Sequence, residues 1–88
     1  MASKYETLEI YLREQAANTR QISMSFNEIE AVIGSPLPRS AFTYREWWSN
    51  QKDVSNRPQA KAWLAAGYEV DSVRQSSTSG SVVFRSKS

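Results

Sequence analysis

Four polar side chains in this 88-residue chain could do chemistry together: Arg39, Thr43, Glu46 and Asn50. They recur at spacings of four, three and four residues, so on a helix they would share one face. Arginine, threonine and asparagine hydrogen-bond the edges of nucleobases and the oxygens of phosphates. A carboxylate repels phosphate, so Glu46 suits such a face only as an acceptor for a cytosine amino group.

Further basic residues extend this candidate nucleic-acid-binding surface through the second half of the chain. The remaining members of the predicted set are Arg45, Lys52, Arg57, Lys61, Arg74 and Arg85. The last two flank a predicted β-hairpin and would act as a wing, while the others would continue the surface along phosphates. Each charge taken alone fits an ordinary solvated side chain better, and only their joint placement favours nucleic acid.

The charges are unevenly distributed along the chain, whose formal net charge is +2. Residues 1–37 carry three basic and five acidic side chains, a net charge of −2. Residues 38–88 carry eight basic and four acidic side chains, a net charge of +4. A basic C-terminal half points to an anionic partner, although a normally solvated surface explains it about as well.

Several classes of chemistry are excluded by residues that the chain lacks. It has neither cysteine nor histidine, which removes disulfides, thiolate and imidazole zinc sites, histidine general bases and Ser-His-Asp triads. Its three glycines, Gly34, Gly67 and Gly80, are isolated and form no glycine-rich phosphate loop. We therefore expect a protein that is not an enzyme and that holds no metal and no cofactor.

The composition, 40% hydrophobic and 23% charged, is typical of a soluble globular domain. No apolar run approaches the roughly 18 residues that a membrane span needs, and we expect no signal peptide, because no charged start is followed by an apolar middle. The absence of cysteine fits a reducing compartment. We expect a single domain over residues 1–88, located in the cytoplasm and without membrane contact, with residues 86–88 disordered.

The pattern of residues predicts helix, short strand, helix, turn, helix, short helix and hairpin, in that order. Gln21–Ser25 alternates apolar and polar residues as a half-buried strand does. Ser25 and Glu28 have the spacing of a capping box that opens the second helix, and Gly34 is a natural stop. A third helix is predicted from Pro38 to Asn50.

The remaining elements follow a polar linker. Pro58 begins a short fourth helix that Gly67 ends, and two β-rich runs around a serine-rich loop form a C-terminal hairpin. The short strand has little to pair with except this hairpin. The sequence therefore predicts an α+β, winged-helix-like domain of three to four helices with a small three-stranded antiparallel sheet.

Two adjacent tryptophans, Trp47 and Trp48, cannot both face one core from a helix, because neighbours lie about 100° apart. The predicted core stripe of the third helix is Leu37, Ala41, Tyr44 and Trp48. Phe42 and Trp47 lie on its two borders. Trp47 either covers the core edge beside the fourth helix, near Trp63, or forms part of an exposed contact surface.

Five motifs run through most of the chain: SFNEIE, LPRSA, WWSN, AWLAAG and VVFRS. In these motifs the chain resembles a family of small uncharacterised bacterial and phage domains with no settled activity. The matching positions are Ser40, Ala41, Trp47, Trp48, Asn50, Gln59, Trp63 and Gly67, and Tyr68 stands where a tryptophan is usual. The resemblance implies an association with DNA or with mobile elements.

Two functions are consistent with these observations. The first is a small winged-helix module that binds nucleic acid, most readily double-stranded DNA. The second is a protein-binding module, such as a phage-encoded inhibitor of a host defence complex or an oligomerisation domain, in which Phe42 and Trp47 would be the anchors. Salt-sensitive binding to a duplex would distinguish the first from the second.

Overall fold

The computed structural model describes residues 4–16, 20–50, 58–76 and 79–87. Its helices are α1 (Glu6–Ala16), α2 (Phe26–Ile33), α3 (Arg39–Thr43), a 3-10 helix (Arg45–Trp48) and α4 (Pro58–Ala65). Its strands are β1 (Gln21–Ser25), β2 (Tyr68–Gln75) and β3 (Gly80–Ser86). None of the described helices has the length and apolar character that crossing a bilayer requires.

The three strands form one antiparallel sheet in the order β1-β3-β2, which confirms the predicted α+β class and the pairing of the short strand with the hairpin. Val82 of β3 stands opposite Met24 of β1 and Val73 of β2. Residues directly opposite each other point to the same side of a sheet, so these three side chains lie on the face that carries the core. The helices cover that face.

An aromatic stack forms the centre of the core. Trp48 lies nearly parallel to Phe26 and to Trp63, with ring centroids 5.0 and 5.7 Å apart, and Phe84 of β3 follows Trp63 at 5.7 Å. All four side chains are buried. Aromatic side chains remove the largest areas from water, so this stack joins α2, the 3-10 helix, α4 and the sheet into one core.

The ends of α2 are formed as the sequence predicts. The Ser25 hydroxyl accepts from the Glu28 N–H, and the Glu28 carboxylate accepts from the Ser25 N–H. Gly34 ends the helix with φ at 68°, a left-handed conformation that favours glycine. The carboxylate of Glu30 then accepts from the N–H of Leu37 at 2.7 Å, which holds the turn that leads into α3.

The predicted single helix from Pro38 to Asn50 is wrong. α3 ends at Thr43, Tyr44 adopts extended backbone angles (φ −113°, ψ 121°), and the chain continues as the 3-10 helix. Tyr44 therefore leaves the predicted core stripe and is 57% exposed. The four polar residues of the predicted helix face are consequently divided between α3, the 3-10 helix and the segment after it.

The break at Tyr44 is held by the side chain of Trp48. Its indole N–H donates to the carbonyl of Ala41 at 2.8 Å. Seven residues separate the two, which in an unbroken helix would be about 10 Å of rise. The change of direction at Tyr44 brings the indole back to a carbonyl at the end of α3 that has no partner within the helix.

The last residues are more firmly held than the sequence suggests. Ser86, expected in a disordered end, lies in β3, and its N–H donates to the carbonyl of Arg20. The N–H of Lys87 donates to the carbonyl of Gly67 at 2.9 Å. Gly67 ends α4 as predicted, with φ at 87°. Position 88 lies outside the described residues.

Candidate functional site

The segment from α3 to Asn50 runs antiparallel along the free edge of β2. β2 is an outer strand, so the edge away from β3 has no strand partner within the described sheet. Three side chains bond the two segments, Gln75 Nε2 to Ala41 O (2.9 Å), Arg45 Nη1 to Val73 O (3.4 Å) and Asn50 Nδ2 to Val70 O (2.9 Å). We call this set of contacts the edge seam. It ties the two halves of the predicted nucleic-acid-binding surface, α3 and the hairpin, into one unit.

Asn50 anchors one end of the edge seam. Its amide donates to the carbonyl of Val70, and its Oδ1 accepts from the N–H of Val70 at 2.8 Å and from the indole N–H of Trp63 at 3.1 Å. The predicted role of Asn50 was a contact to a base edge or phosphate. In the structure the amide of Asn50 bonds to Val70 and Trp63, so Asn50 holds the predicted nucleic-acid-binding surface in place.

Arg45 anchors the middle of the edge seam. One guanidinium N–H points to the Val73 carbonyl at 3.4 Å, a long bond, and the rest of the exposed guanidinium remains available for a ligand. Because Val73 immediately precedes Arg74 in β2, Arg45 lies next to the part of the hairpin that carries Arg74. Arg45 thus contacts the backbone of the strand that carries Arg74, whose side chain points to the sheet face opposite that of Val73.

A pocket of about 380 Å³ opens between the 3-10 helix and the edge of β2. Arg45, Glu46 and Trp48 form one wall, with Ser49 and Asn50 following them. Val70 and Val73 form the opposite wall. The Oγ of Ser49 is buried and has no hydrogen-bond partner among the described residues, a situation that costs free energy in a native protein.

Arg39 and Thr43 are both exposed and lie four residues apart on the outer side of α3. Tyr44, at the end of α3, presents its ring to solvent next to Arg45. No sequence signal predicts an exposed Tyr44, because its spacing from Ala41 and Trp48 fits a buried helical stripe. The exposed residues of this segment are therefore Arg39, followed after buried Ala41 by the continuous run Thr43, Tyr44 and Arg45.

Arg74 and Arg85, the predicted wing residues, lie in different surroundings. Arg74 is exposed and makes no ion pair with a described carboxylate. Arg85 bonds to Glu69 at 2.7 Å and lies 3.5 Å from Asp71. The hydrogen bond to Glu69 and the charge of Asp71 raise the pKa of the Arg85 guanidinium. Arg74 is therefore the freer of the two for an anionic ligand.

The other predicted residues do not join the edge seam. Lys61 is exposed on α4, whose buried side faces α1 and β2. Lys52 and Arg57 lie outside the described residues. Phe42 packs edge-on against Phe26, with ring centroids 5.2 Å apart, and is half-buried.

Trp47 covers α1. Its half-buried ring packs edge-on against Tyr5 at 6.0 Å and against Trp48 at 4.6 Å. Its contact with α4 is made by the backbone, because the side chain of Gln59 donates to the Trp47 carbonyl at 3.3 Å. This placement matches the predicted role of cover for the core edge, with Trp48 and Tyr5, the residue directly before α1, as neighbours of the ring.

Comparison with known proteins places the chain in a family. The family described as "Domain of unknown function (DUF7662)" matches residues 5–88, so the chain belongs to it. No curated protein and no solved structure matches the chain.

Proposed function

We propose that this DUF7662 domain binds nucleic acid, most readily double-stranded DNA, through α3, Arg45 and the β2–β3 hairpin. The observation that carries the proposal is the exposed set Arg39, Arg45 and Arg74. None of the three forms an ion pair with a described carboxylate, and Arg45 bonds the backbone of the strand that carries Arg74. Exposed cations held on a fixed frame suit the phosphate backbone.

The order of elements supports this proposal. α2, a five-residue turn fixed by Glu30, and α3 follow one another as in a helix-turn-helix pair, and a hairpin closes the sheet in the order β1-β3-β2. We infer from this order a winged-helix-like arrangement, with the 3-10 helix and α4 inserted before the hairpin. In that arrangement α3 enters the major groove and the hairpin contacts the neighbouring backbone.

The proposal assigns each exposed residue a contact with the nucleic acid. Arg39 and Thr43 project from α3, where they would meet base edges or phosphates. Arg45, at the edge of β2, and Arg74, within β2, would contact the nucleic-acid backbone as positioning residues. The bonds from Gln75 and Asn50 hold α3 and the hairpin at a fixed distance, which spares the complex the cost of ordering them on binding.

The protein-binding alternative has less support. Its proposed anchors, Phe42 and Trp47, are half-buried and pack against Phe26 and Tyr5. Residues that dominate protein interfaces present their rings to the partner. The exposed ring on this side of the molecule belongs instead to Tyr44, between Thr43 and Arg45, where its hydroxyl suits a phosphate oxygen.

The test is binding of a fluorescent 20-base-pair duplex, followed by anisotropy at two salt concentrations. Arg39→Ala and Arg74→Ala should each weaken binding by roughly tenfold at 0.1 M salt, because each lost phosphate contact removes a counterion-release contribution. Arg13→Ala is the matched control, since Arg13 pairs with Glu9 on α1. A wild-type protein that shows no salt-sensitive binding to the duplex would refute the proposal.

A further inference from the structure

The two outer edges of the three-stranded sheet differ in how far side chains cover them. β2 and β1 are the outer strands. At β2 the edge seam bonds outward-facing backbone groups of Val70 and Val73. At β1, within the described part of the chain, one such group is bonded: the N–H of Ser25 donates to the Glu28 carboxylate. An uncovered edge is a template for a further strand.

The pairing with β3 determines which groups of β1 face outward. The N–H of Ser86 donates to the Arg20 carbonyl, so these two residues form a hydrogen-bonded pair of the ladder. Hydrogen-bonded and non-hydrogen-bonded pairs alternate along an antiparallel ladder. Gln21 and Ser23 therefore belong to non-hydrogen-bonded pairs, and the N–H and the carbonyl of each point to the open edge. No bond from a described residue reaches these four groups.

β1 also lacks the features that proteins use to block an open edge. Its sequence, QISMS, contains no proline and no charged residue, and its pairing with β3 has no bulge. Gln21 and Ser23 are exposed, whereas Ile22 between them is buried in the core. The open edge is therefore neutral and accessible over residues 21–23.

We propose that β1 pairs antiparallel with β1 of a second copy of this chain, around a twofold axis at Ile22. In this register Gln21 of each copy stands opposite Ser23 of the other, and each of these two pairs exchanges two hydrogen bonds. All the outward-facing groups of Gln21 and Ser23 are then satisfied in both copies. A register shifted towards Ser25 would place an N–H that is already bonded to Glu28 in the new ladder. The edge is thus its own complement, as a twofold interface requires.

The paired sheet has the strand order β2-β3-β1-β1-β3-β2. Its twofold axis is perpendicular to the sheet, so the helices of both copies cover the same face. Neighbouring strands lie about 4.8 Å apart, so the two β2 strands are separated by five spacings, about 24 Å. The edge seam holds α3 beside β2. With about one further spacing on each side, the two copies of α3 lie about 34 Å apart.

This separation matches one turn of double-stranded DNA and favours a second copy as the occupant of the edge. The recognition helices of dimeric helix-turn-helix proteins enter the major groove at half-sites about 34–36 Å apart. The pair would therefore present both α3 segments, each with its Arg39 and Thr43, to one duplex. The use of both α3 segments rests on the proposed function, whereas the pairing of β1 stands without it.

Disulfide trapping tests the pairing, because the chain has no cysteine of its own. Gln21→Cys protein is mixed with Ser23→Cys protein and oxidised, and covalent dimers are separated on a non-reducing gel. Opposite residues of a hydrogen-bonded pair have Cα atoms about 5.5 Å apart, a usual separation across a disulfide. The mixture should form at least about fivefold more dimer than either variant alone, whose thiols would be in diagonal positions. Asn27→Cys, exposed on α2, gives the rate of random collision.

Gln21→Pro tests the use of the pair on DNA. Proline is tolerated at the first residue of an edge strand, and the N–H that it removes points to the open edge. The variant should keep the wild-type melting temperature and lose two of the four bonds between the copies. Its affinity for a 20-base-pair duplex should fall at least about fivefold, because two linked copies bind one duplex more tightly than a single copy does.

A 10-base-pair duplex is the matched control for this variant. It is about 34 Å long and has no room for two copies of α3 at that separation. Gln21→Pro and the wild type should therefore bind it with the same affinity. The disulfide experiment substitutes exposed side chains, so it decides the pairing of β1 even if Gln21→Pro is unstable.

Each outcome decides one of the proposals. A mixture of the two edge variants that forms no more dimer than Asn27→Cys overturns the pairing of β1. Specific trapping, with equal affinity of stable Gln21→Pro and the wild type for the longer duplex, overturns the use of both α3 segments. Specific trapping without salt-sensitive duplex binding overturns the proposed function and leaves the pairing of β1 intact.

Discussion

Asn50 and Val70 are bonded to each other as two residues of neighbouring β-strands would be, although Asn50 lies in no strand. The side-chain amide of Asn50 takes the place of a peptide group, donating to the Val70 carbonyl and accepting from the Val70 N–H. The same Oδ1 accepts from the indole of Trp63. The Asn50 side chain thus covers the open edge of β2 and gives the Trp63 indole N–H its acceptor. It also fixes the distance between the 3-10 helix and the hairpin.

Replacing Asn50 by alanine should lower the free energy of unfolding by about 2 kcal/mol. The loss leaves the indole N–H of Trp63 without its acceptor and exposes both backbone groups of Val70 to water. Urea denaturation followed by tryptophan fluorescence measures the change. Asn27→Ala is the matched control, because Asn27 is exposed on α2 and should change stability by less than about 0.5 kcal/mol. Equal effects of the two substitutions would show that the Asn50 bonds contribute nothing.

The parts of the fold that depend on local chemistry could be predicted from the sequence. Ser25 and Glu28 form their capping box, Gly34 ends α2, and the alternation of Gln21–Ser25 correctly marks a short, half-buried strand. Each of these features depends on residues that are close together in the chain. Their hydrogen bonds or solvent exposure follow from spacing alone.

The break at Tyr44 could not be predicted in this way. The spacing of Ala41, Tyr44 and Trp48 is helical, but the indole of Trp48 and the amide of Gln75 both donate to the Ala41 carbonyl. Gln75 is 34 residues away from Ala41. The tertiary contacts outweigh the local helical preference, so the exposed ring of Tyr44 and the pocket behind it have no local sequence signal.

Gly80 should not tolerate a larger residue, although its φ is not in the left-handed region. A Cβ at this position would overlap the ring of Phe26 and the carbonyl of Arg74. Because Phe26 is packed in the central aromatic stack, it has little room to move. Gly80→Ala should therefore cost about 1–3 kcal/mol of stability.

Thermal unfolding followed by circular dichroism tests this prediction by comparing the melting temperature of Gly80→Ala with that of the control variant Ser72→Ala. Ser72 is exposed on the same hairpin, so its substitution should shift the melting temperature little. A loss of 1 kcal/mol corresponds to about 4–8 °C in a domain of this size. A Gly80→Ala protein with the same melting temperature as the wild type would contradict the packing described for Phe26.

Stability should decline at alkaline pH because of two tyrosines. Burial raises the pKa of Tyr5 and of Tyr68 above the ordinary value of about 10. Above pH 10 the unfolded chain releases protons that the folded chain retains, so the unfolded state is favoured as the pH rises. The contribution of these two tyrosines to the free energy of unfolding is fully present below pH 10. It is lost as the pH increases towards their raised folded-state pKa values.

Urea denaturation at pH 8 and pH 11 measures this effect. The free energy of unfolding should fall between the two, by up to about 1.4 kcal/mol per pH unit for each tyrosine that stays protonated in the folded state. The doubly substituted Tyr5→Phe, Tyr68→Phe protein should lose less stability between pH 8 and pH 11 than the wild type does. An equal decline in both proteins would assign the alkaline sensitivity to other groups.

The salt dependence of duplex binding tests the central claim most directly. The logarithm of the association constant should fall linearly with the logarithm of salt concentration, with a slope of about −0.9 for each phosphate neutralised. The triple variant Arg39→Ala, Arg45→Ala, Arg74→Ala should have a slope shallower by between 2 and 3, on the order expected for three phosphate contacts. Arg13→Ala should keep the wild-type slope. Equal slopes for the triple variant and the wild type would contradict the assignment of nucleic-acid binding to this surface.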